Sequence, residues 1–445
     1  MFAPGQVVQL AASRTAGRVG ELLGEGGQGS VHVVTVDGSP EQYALKWYFP
    51  GFATEAQWNA LRALITRGSP SPAFLWPLDL VTAPGTPGFG YLMPLRPDGF
   101  TGMVDLVRGR VDTGFRQLAI TGRDLAHSFL LLHSEGLCYR DISFGNVFLR
   151  PETGAVLICD VDNVGVDGAT SSTVRGTPYF MAPEIVRGEA VPSTLTDLFS
   201  LAVLLYYAFL LGHPLEGASA LAHEVWDVDA MTDAFGVRPT FVFDPADDGN
   251  RPVSGASVEQ DNMLACWPVC PSFLRSLFVR AFTAGLAADG DRVRESEWRK
   301  AMVRLHDSVV FCASCGRENL ADIDDDGQPV GPVVASGGQR CWSCGTPLTL
   351  PPRLVLGSHP VVLAHDTVLH GYHLAGRYDF SSPAAEITRH PADPGLWGLR
   401  NLTAAPWLAR EPSGRESHIA PGRAVALTEG LTLGFGSGVT GVVRT

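Results

Sequence analysis

An Asp and an Asn stand five residues apart in a short polar turn, Tyr139-Arg140-Asp141-Ile142-Ser143-Phe144-Gly145-Asn146, with apolar segments on both sides. The elements around such a turn have to bury its flanks while leaving its carboxylate and amide usable, so this octet constrains the fold more than any other stretch. Phosphoryl transfer needs a carboxylate that orients an incoming hydroxyl and an amide oxygen that helps hold the magnesium bridging the phosphates. Asp141 and Asn146 suit those two jobs. The spacing D-x-x-x-x-N also occurs in ordinary polar turns, so its meaning depends on what precedes and follows it.

A chain of 445 residues exceeds one ordinary core, and two or three domains are expected. The formal charge of -13 argues against a nucleic-acid partner, which would call for a basic patch or stripe. The longest apolar run, residues 198–211, is bracketed by Asp197 and Gly212-His213-Pro214. It falls short of the roughly 20 residues that cross a bilayer, so it reads as a buried helix and no membrane partner is expected. The N-terminus lacks the basic start, apolar middle and small-residue cleavage site of a secretory signal; a cytoplasmic location is expected, where cysteines need a reason other than disulfides. Only two of the 33 basic residues are lysines, Lys46 and Lys300. A lysine kept against such an arginine bias marks a place where the compact ammonium is needed, and Lys46 is the candidate.

Upstream of the octet, Leu23-Gly24-Glu25-Gly26-Gly27-Gln28-Gly29-Ser30-Val31 is a full G-x-G-x-x-G-x-V between strand-like residues. Gly24, Gly26 and Gly29 let backbone amides approach phosphates, and Val31 offers an apolar surface to a base. Tyr43-Ala44-Leu45-Lys46 follows, matching the V-A-I-K strand that sends a lysine to the phosphates. An amphipathic helix is expected over 54–67, where Glu55 is the only carboxylate, and strands over 74–81 and 89–95. Residues 1–20 read as a loose lead-in. A long helix over 117–134 leads into the octet.

Downstream, residues 146–149 and 156–159 read as a hairpin ending at Asp160-Val161-Asp162-Asn163. Asp160 occupies the place of a metal-binding Asp, with a register shifted by two making Asp162 the ligand instead. A hydroxyl-rich loop (Thr170, Ser171, Ser172, Thr173) precedes Gly176-Thr177-Pro178-Tyr179-Phe180-Met181-Ala182-Pro183-Glu184. This nonapeptide resembles the segment that closes the activation loop of Ser/Thr protein kinases. With glycine loop, lysine, octet and Asp160 in the same order, residues 15–308 resemble a eukaryotic-like Ser/Thr protein kinase domain, with an N-lobe over about 15–97 and a C-lobe over about 98–308. The resemblance implies Mg-ATP as phosphoryl donor, Asp141 orienting the substrate hydroxyl, Lys46 on the phosphates, Asn146 and Asp160 on Mg2+, and Gly24, Gly26, Gly29, Val31 and Ala44 around the nucleotide. It also implies a helix glutamate paired with Lys46, for which Glu55 sits closer in sequence than the pattern asks; an Arg292 pair for Glu184; and a phosphate on the activation loop for Arg140 to meet. Ser143 replaces the family's lysine two residues after the catalytic Asp.

Beyond it, Cys312, Cys315, Cys341 and Cys344 form C-x-x-C, 25 residues, C-x-x-C, with Gly316 and Gly345 closing each knuckle. That spacing predicts a structural Zn2+ held by four thiolates in a ribbon over 309–350. Residues 354–445 read as an all-β sandwich of short strands. They resemble a degenerate forkhead-associated domain, with Ser381 at the place of its phosphothreonine-binding serine, and a generic sandwich is the other reading. The three modules together resemble bacterial kinases of tellurite-resistance-type gene sets, implying a von Willebrand A-type protein and a metal-dependent protein phosphatase as partners.

The expected fold is therefore α+β, a bilobal kinase-like domain followed by a zinc ribbon and a β-sandwich. The expected function is phosphoryl transfer from ATP to protein hydroxyls, including its own. A nucleotide-binding pseudokinase scaffold is the alternative, favoured by Ser143 and the displaced Glu55, and a small-molecule phosphotransferase is a third reading, opposed by the segment 176–184.

Overall fold

A computed structural model describes residues 2–169, 176–223, 225–330, 339–390, 393–436 and 438–445. The hydroxyls of Thr170, Ser171, Ser172 and Thr173 lie outside the described residues. The fold is α+β, and the chain divides into two compact units. One gathers the segment ending at Thr113 with Thr121–Met263 and Phe278–Arg299; the other gathers Gly114–Ile120, Leu264–Leu277 and Lys300–Thr445.

The first unit opens with six antiparallel strands, β1 (Val7–Leu10), β2 (Ala16–Glu25), β3 (Gly29–Val36), β4 (Gln42–Tyr48), β5 (Asp79–Ala83) and β6 (Thr86–Pro94). They close into a barrel in the order β1-β2-β3-β4-β6-β5. The lead-in is thus not loose: β1 pairs with both β2 and β5 and sends Val8 and Leu10 into an interior shared with Val19, Val34, Leu45, Val81 and Leu92. Four residues of alternating burial are too few for a period-2 signal to stand out. Helix α1 (Glu55–Arg67) follows β4; the Thr54 side chain caps it by accepting from the Gln57 amide, and Gly68 at φ +84° ends it. The strand expected over 74–81 begins only at Asp79, because Phe74 and Leu75 instead bond the chain at Ile158.

Short strands and helices follow along the chain, α3, α7, α8 and α10 each running partly into the second unit: β7 (Thr101–Gly102), α2 (Met103–Val107), α3 (Phe115–Ser134), β8 (Leu137–Cys138), the hairpin β9 (Val147–Leu149) and β10 (Val156–Ile158), β11 (Gly165–Val166), α4 (Pro183–Val186), α5 (Thr194–Leu210), α6 (Val228–Thr232), α7 (Val258–Cys266), α8 (Ser272–Ala281), α9 (Ala284–Ala287) and α10 (Glu295–Asp307). The apolar run at 198–211 lies mostly within α5, which a Ser193–Thr196 capping box starts and which is buried from Thr196 to Leu210. No described helix is long and apolar enough to cross a membrane.

In the second unit, β12 (Val309–Phe311) pairs with β13 (Glu318–Leu320). Ten further strands follow: β14 (Arg353–Leu356), β15 (His359–Val362), β16 (Val368–His370), β17 (Pro383–His390), β18 (Asp393–Asn401), β19 (Trp407–Arg410), β20 (Glu416–Ile419), β21 (Ala424–Ala426), β22 (Thr432–Gly434) and β23 (Thr440–Arg444). They form a six-stranded sheet, β15-β14-β23-β22-β19-β20, and a four-stranded sheet, β16-β17-β18-β21. One apolar core joins the two, with Leu354, Trp407, Leu433 and Val443 from the first and Leu369, Ala385 and Leu399 from the second. The expectation of β structure throughout missed one helix, α11 (Gly371–Ala375), whose five residues carry a histidine and a tyrosine and are too few to show a helical apolar stripe.

Candidate active site

The octet is held from below by Asp197 in the first turn of α5. Its two carboxylate oxygens accept the backbone amides of Tyr139 and, at 3.0 Å, Arg140. His133, at the end of α3, donates Nε2–H to the same carboxylate at 3.1 Å and faces Glu295 through Nδ1. Burial pulls the imidazolium toward losing its proton, but the hydrogen bonds and charges of Asp197 and Glu295 outweigh it and raise the pKa to about 9. The Tyr139 hydroxyl donates to the carbonyl of Cys159, fixing the octet to the strand β10 leads into. Arg140 adopts φ +74°, a left-handed conformation costing a non-glycine residue about 1–2 kcal/mol, and the grip of Asp197 on the Tyr139 and Arg140 amides holds it there.

Asp141, half-buried, accepts from the Thr177 hydroxyl at 2.7 Å and from the Asn146 side-chain amide at 3.3 Å. Burial raises its pKa and these hydrogen bonds oppose the rise, leaving it above its ordinary value. Asn146 spends its amide N–H on Asp141, bonding the backbone carbonyl at 2.9 Å as well, so neither bond uses its side-chain oxygen. The Asn146 carbonyl accepts the Cys159 amide at 3.0 Å, which sets Asp160 beside it.

Lys46 on β4 stands directly opposite Val31 of β3, so the glycine hairpin and the lysine share one end of the barrel. Its ammonium donates to Asp160 at 2.8 Å and to both oxygens of Asp162 at 2.9 and 3.1 Å. The two carboxylates differ sharply in setting: the Asp160 side chain is 42% exposed, that of Asp162 not at all. Asp162 also accepts the Tyr48 hydroxyl, and the Gln57 side chain of α1 donates to that hydroxyl and to the Asp162 carbonyl, both at 3.1 Å. Glu55 is exposed, and its expected pairing with Lys46 is not made. A position two residues further along the helix, closed to a carboxylate search because it holds Gln57, faces the site instead. Asp160 sits at φ +55°, a second left-handed residue at the same site.

Gly24 and Gly26 have open space where a side chain would start, whereas a Cβ on Gly29 would lie 2.2 Å from the Trp47 carbonyl. Val31 and Ala44 pack with Leu157 and Cys159 in one cluster at this end of the barrel. The Arg292 guanidinium meets Glu184 in a bidentate pair, 2.8 Å on each side, with Arg292 itself buried. The structure thus brings Lys46, Asp141, Asn146 and Asp160 into one chain of contacts. The parts that sequence reading did not connect to the site are its supports: Tyr48, Gln57, His133 and Glu295.

A separate cluster holds Cys312, Cys315, Cys341 and Cys344, whose sulfurs lie within 4.8 Å of one another, with Cys312–Cys344 at 3.6 Å and Cys315–Cys341 at 3.7 Å. Both knuckles close alike, the amides of Gly316 and Gly345 donating to the carbonyls of Cys312 and Cys341 with each glycine at φ +72°. The Asn319 side chain donates to Cys341 Sγ.

Curated relatives match over a limited stretch. The chain is 34% identical over 92 residues to the serine/threonine-protein kinase RUNKEL of Arabidopsis thaliana, covering 19% of this chain and 6% of that protein. It is 31% identical over 101 residues to the serine/threonine-protein kinase KIC1 of Saccharomyces cerevisiae, 22% of this chain and 9% of that one. It is 31% identical over 93 residues to the protein kinase gsk3 of Schizosaccharomyces pombe, 20% and 24% respectively. The chain thus spans at most about a quarter of the length of these relatives. Residues 113–253, which hold the octet, Asp160 and the segment 176–184, match the family model described as the protein kinase domain.

Proposed function

We propose that this chain is a Mg-ATP-dependent Ser/Thr protein kinase of the cytoplasm, acting on protein hydroxyls and on its own. The observation that carries the reading is the path from Lys46 to Asp160 and, across the neighbouring Cys159 amide bonded to the Asn146 carbonyl, from Asn146 to Asp141 and Thr177. Lys46, Asp160, Asn146 and Asp141 are the residue types the transfer needs, and the last three lie in the stretch that matches the protein kinase domain. Asp141, with its raised pKa and its carboxylate aimed by Thr177 and Asn146, accepts the proton of the substrate hydroxyl. Lys46 binds the phosphates, while Gly24, Gly26 and Gly29 present amides over them and Val31 and Ala44 line the base. Asn146 and Asp160 would hold magnesium, which when bound neutralises charge on the phosphate oxygens. The exposed carboxylate of Asp160, against the fully enclosed one of Asp162, favours Asp160 for that task. Arg140 awaits an activation-loop phosphate.

Intact mass after incubation with magnesium and ATP tests the reading. Phosphate added to the wild-type chain and not to Asp141→Asn is the expected outcome; equal addition to both would overturn the role of Asp141, and addition to neither, with an added protein substrate also unmodified, would overturn the kinase.

The four cysteines fit zinc. Four thiolates about 2.3 Å from a central ion form a tetrahedron with edges of about 3.8 Å, close to the two sulfur pairs here. A closed four-thiolate shell leaves no coordination position for chemistry, so the metal is structural. We expect one zinc per chain by elemental analysis and loss of it in Cys312→Ser; a metal-free, equally stable wild-type protein would sink the assignment. We read the two sheets that follow as a forkhead-associated-like sandwich by the sequence resemblance, a degenerate one, since the Ser381 hydroxyl is spent on Asp379 at 2.7 Å. By the resemblance to tellurite-resistance-associated kinases, the partners are a von Willebrand A-type protein and a metal-dependent protein phosphatase.

A further inference from the structure

We propose that Asp162 is the carboxylate that positions Lys46 on the phosphates, so that the lysine's ion pair is built from the turn after Asp160 and owes nothing to a carboxylate on α1. The inference rests on the kinase reading and deepens it by giving the lysine its positioning residue. Lys46 has one freely rotating ammonium at the end of a four-carbon stem, and it becomes a phosphate ligand of defined position only when a fixed anion holds it. Asp160 is poorly suited to that task. It is 42% exposed, it makes one bond to the lysine, and it is the carboxylate of the two that is open to solvent. Asp162 meets every requirement. Its side chain is wholly enclosed, it holds the ammonium with both oxygens, and it is itself fixed by the Tyr48 hydroxyl. Its backbone carbonyl is held by Gln57, so α1 contributes a neutral brace in place of a charge.

The geometry of the turn explains why the two carboxylates divide the work. Asp160 is left-handed, and residues 161–163 form a single 3-10 turn that buries Val161 and Asp162. The chain therefore leaves Asp160 exposed and turns Asp162 inward toward Lys46 on β4. The lysine and the exposed carboxylate are thereby fixed by the same three residues, and they move together if that turn moves.

The chain contains only two lysines, which makes the idea directly measurable. Trace acetylation with acetic anhydride across pH 7–11, read by peptide mapping, reports the reactivity of Lys46 with exposed Lys300 as internal standard. In Asp162→Asn, labelling of Lys46 relative to Lys300 should rise about tenfold or more, since the amine loses the charge-assisted hydrogen bonds that hold it. Glu55→Gln should leave it unchanged, and Asp160→Asn should keep most of the protection. In the transfer assay, Asp162→Asn should lower kcat about 100-fold with the magnesium dependence unaltered. Unchanged Lys46 labelling in Asp162→Asn, or a raised magnesium requirement there, would make Asp162 a metal ligand and overturn the proposal. If that variant does not fold, full loss of protection in Asp160→Asn or in Glu55→Gln overturns it, and retained protection in both supports it. Labelling needs no phosphoryl transfer. A wild-type chain inert toward ATP and protein would therefore defeat the kinase reading while the labelling profile still decided whether Asp162 holds Lys46.

Discussion

His133 is the residue on which the geometry of the octet turns, although it touches no atom of the reaction. It is enclosed between Asp197 and Glu295, and Asp197 in turn holds the amides of Tyr139 and of the strained Arg140. Its folded pKa, about 9, lies above the usual 6.5 of a free imidazole. Protons are then bound more tightly in the folded state, so the stabilisation is complete below pH 6.5 and is lost as pH rises through 9. We expect the thermal midpoint to fall between pH 7 and 9.5 by more in wild type than in His133→Gln, which has no proton to lose. His133→Gln should be less stable at pH 7, on the order of 3 kcal/mol, since two buried carboxylates lose their cation. A pH profile identical in both proteins would show that the triad does not carry this charge. The same residue shows where the sequence was and was not legible. Lys46, Asp141, Asn146 and Asp160 stand out by type and spacing within short motifs. The partners of Lys46 and Asp197 do not, because they depend on which way a turn throws a side chain and on contacts spanning 64 to 162 residues.

At the scale of the element, the barrel end that carries the glycine hairpin makes two different demands on its glycines. Gly26 faces open space, whereas Gly29 lies against the Trp47 carbonyl, where a Cβ would sit at 2.2 Å. Backbone on both sides of that contact leaves no flexible side chain to yield, so β3 and β4 must separate to admit even a methyl. We expect Gly29→Ala to lower the urea midpoint, by roughly 2 kcal/mol or more in stability, in line with overpacking of a close contact. Gly26→Ala should fold as the wild type does and weaken nucleotide binding alone. Comparable stability for the two variants would refute the distinction. The hairpin, α1, α3 and the β9–β10 pair were readable because each carries a clear period or turn signature. Strand β1 and helix α11, at four and five residues, were not, since neither is long enough to establish a period against its neighbours.

At the scale of the whole molecule, a cut after residue 308 looks natural in the sequence, where the kinase-like motifs end and the cysteine knuckles begin. The second unit is not built along that line, since it takes in residues 114–120 and 264–277 with everything from Lys300 onward. Within it, the Arg116 amide and guanidinium bond Glu318 and Asp366, the Phe115 ring lies edge-on to Trp342, and the Ser272 hydroxyl donates to Asp322 at 2.8 Å. Arg304 bonds Asp325 and the Ile323 carbonyl, and the buried carboxylate of Asp307 is held by His359 at 2.6 Å and His373 at 3.0 Å. Motif reading cannot see such a unit, because its members are scattered through stretches that read as kinase-like helices. A chain ending at residue 308 would strip all of these partners at once, leaving Arg116, Ser272, Arg304 and Asp307 to solvent or to unpaired burial. Hydrogen bonds to charged groups contribute about 1.5–3 kcal/mol each, so their joint loss should cost several kcal/mol, a large share of a typical domain's stability. The shortened chain should therefore melt well below the intact protein, and hydrogen exchange should speed up first in residues 114–120 and 264–277. An unchanged melting midpoint with unchanged protection in those two segments would establish that the boundary at 308 is a physical one after all.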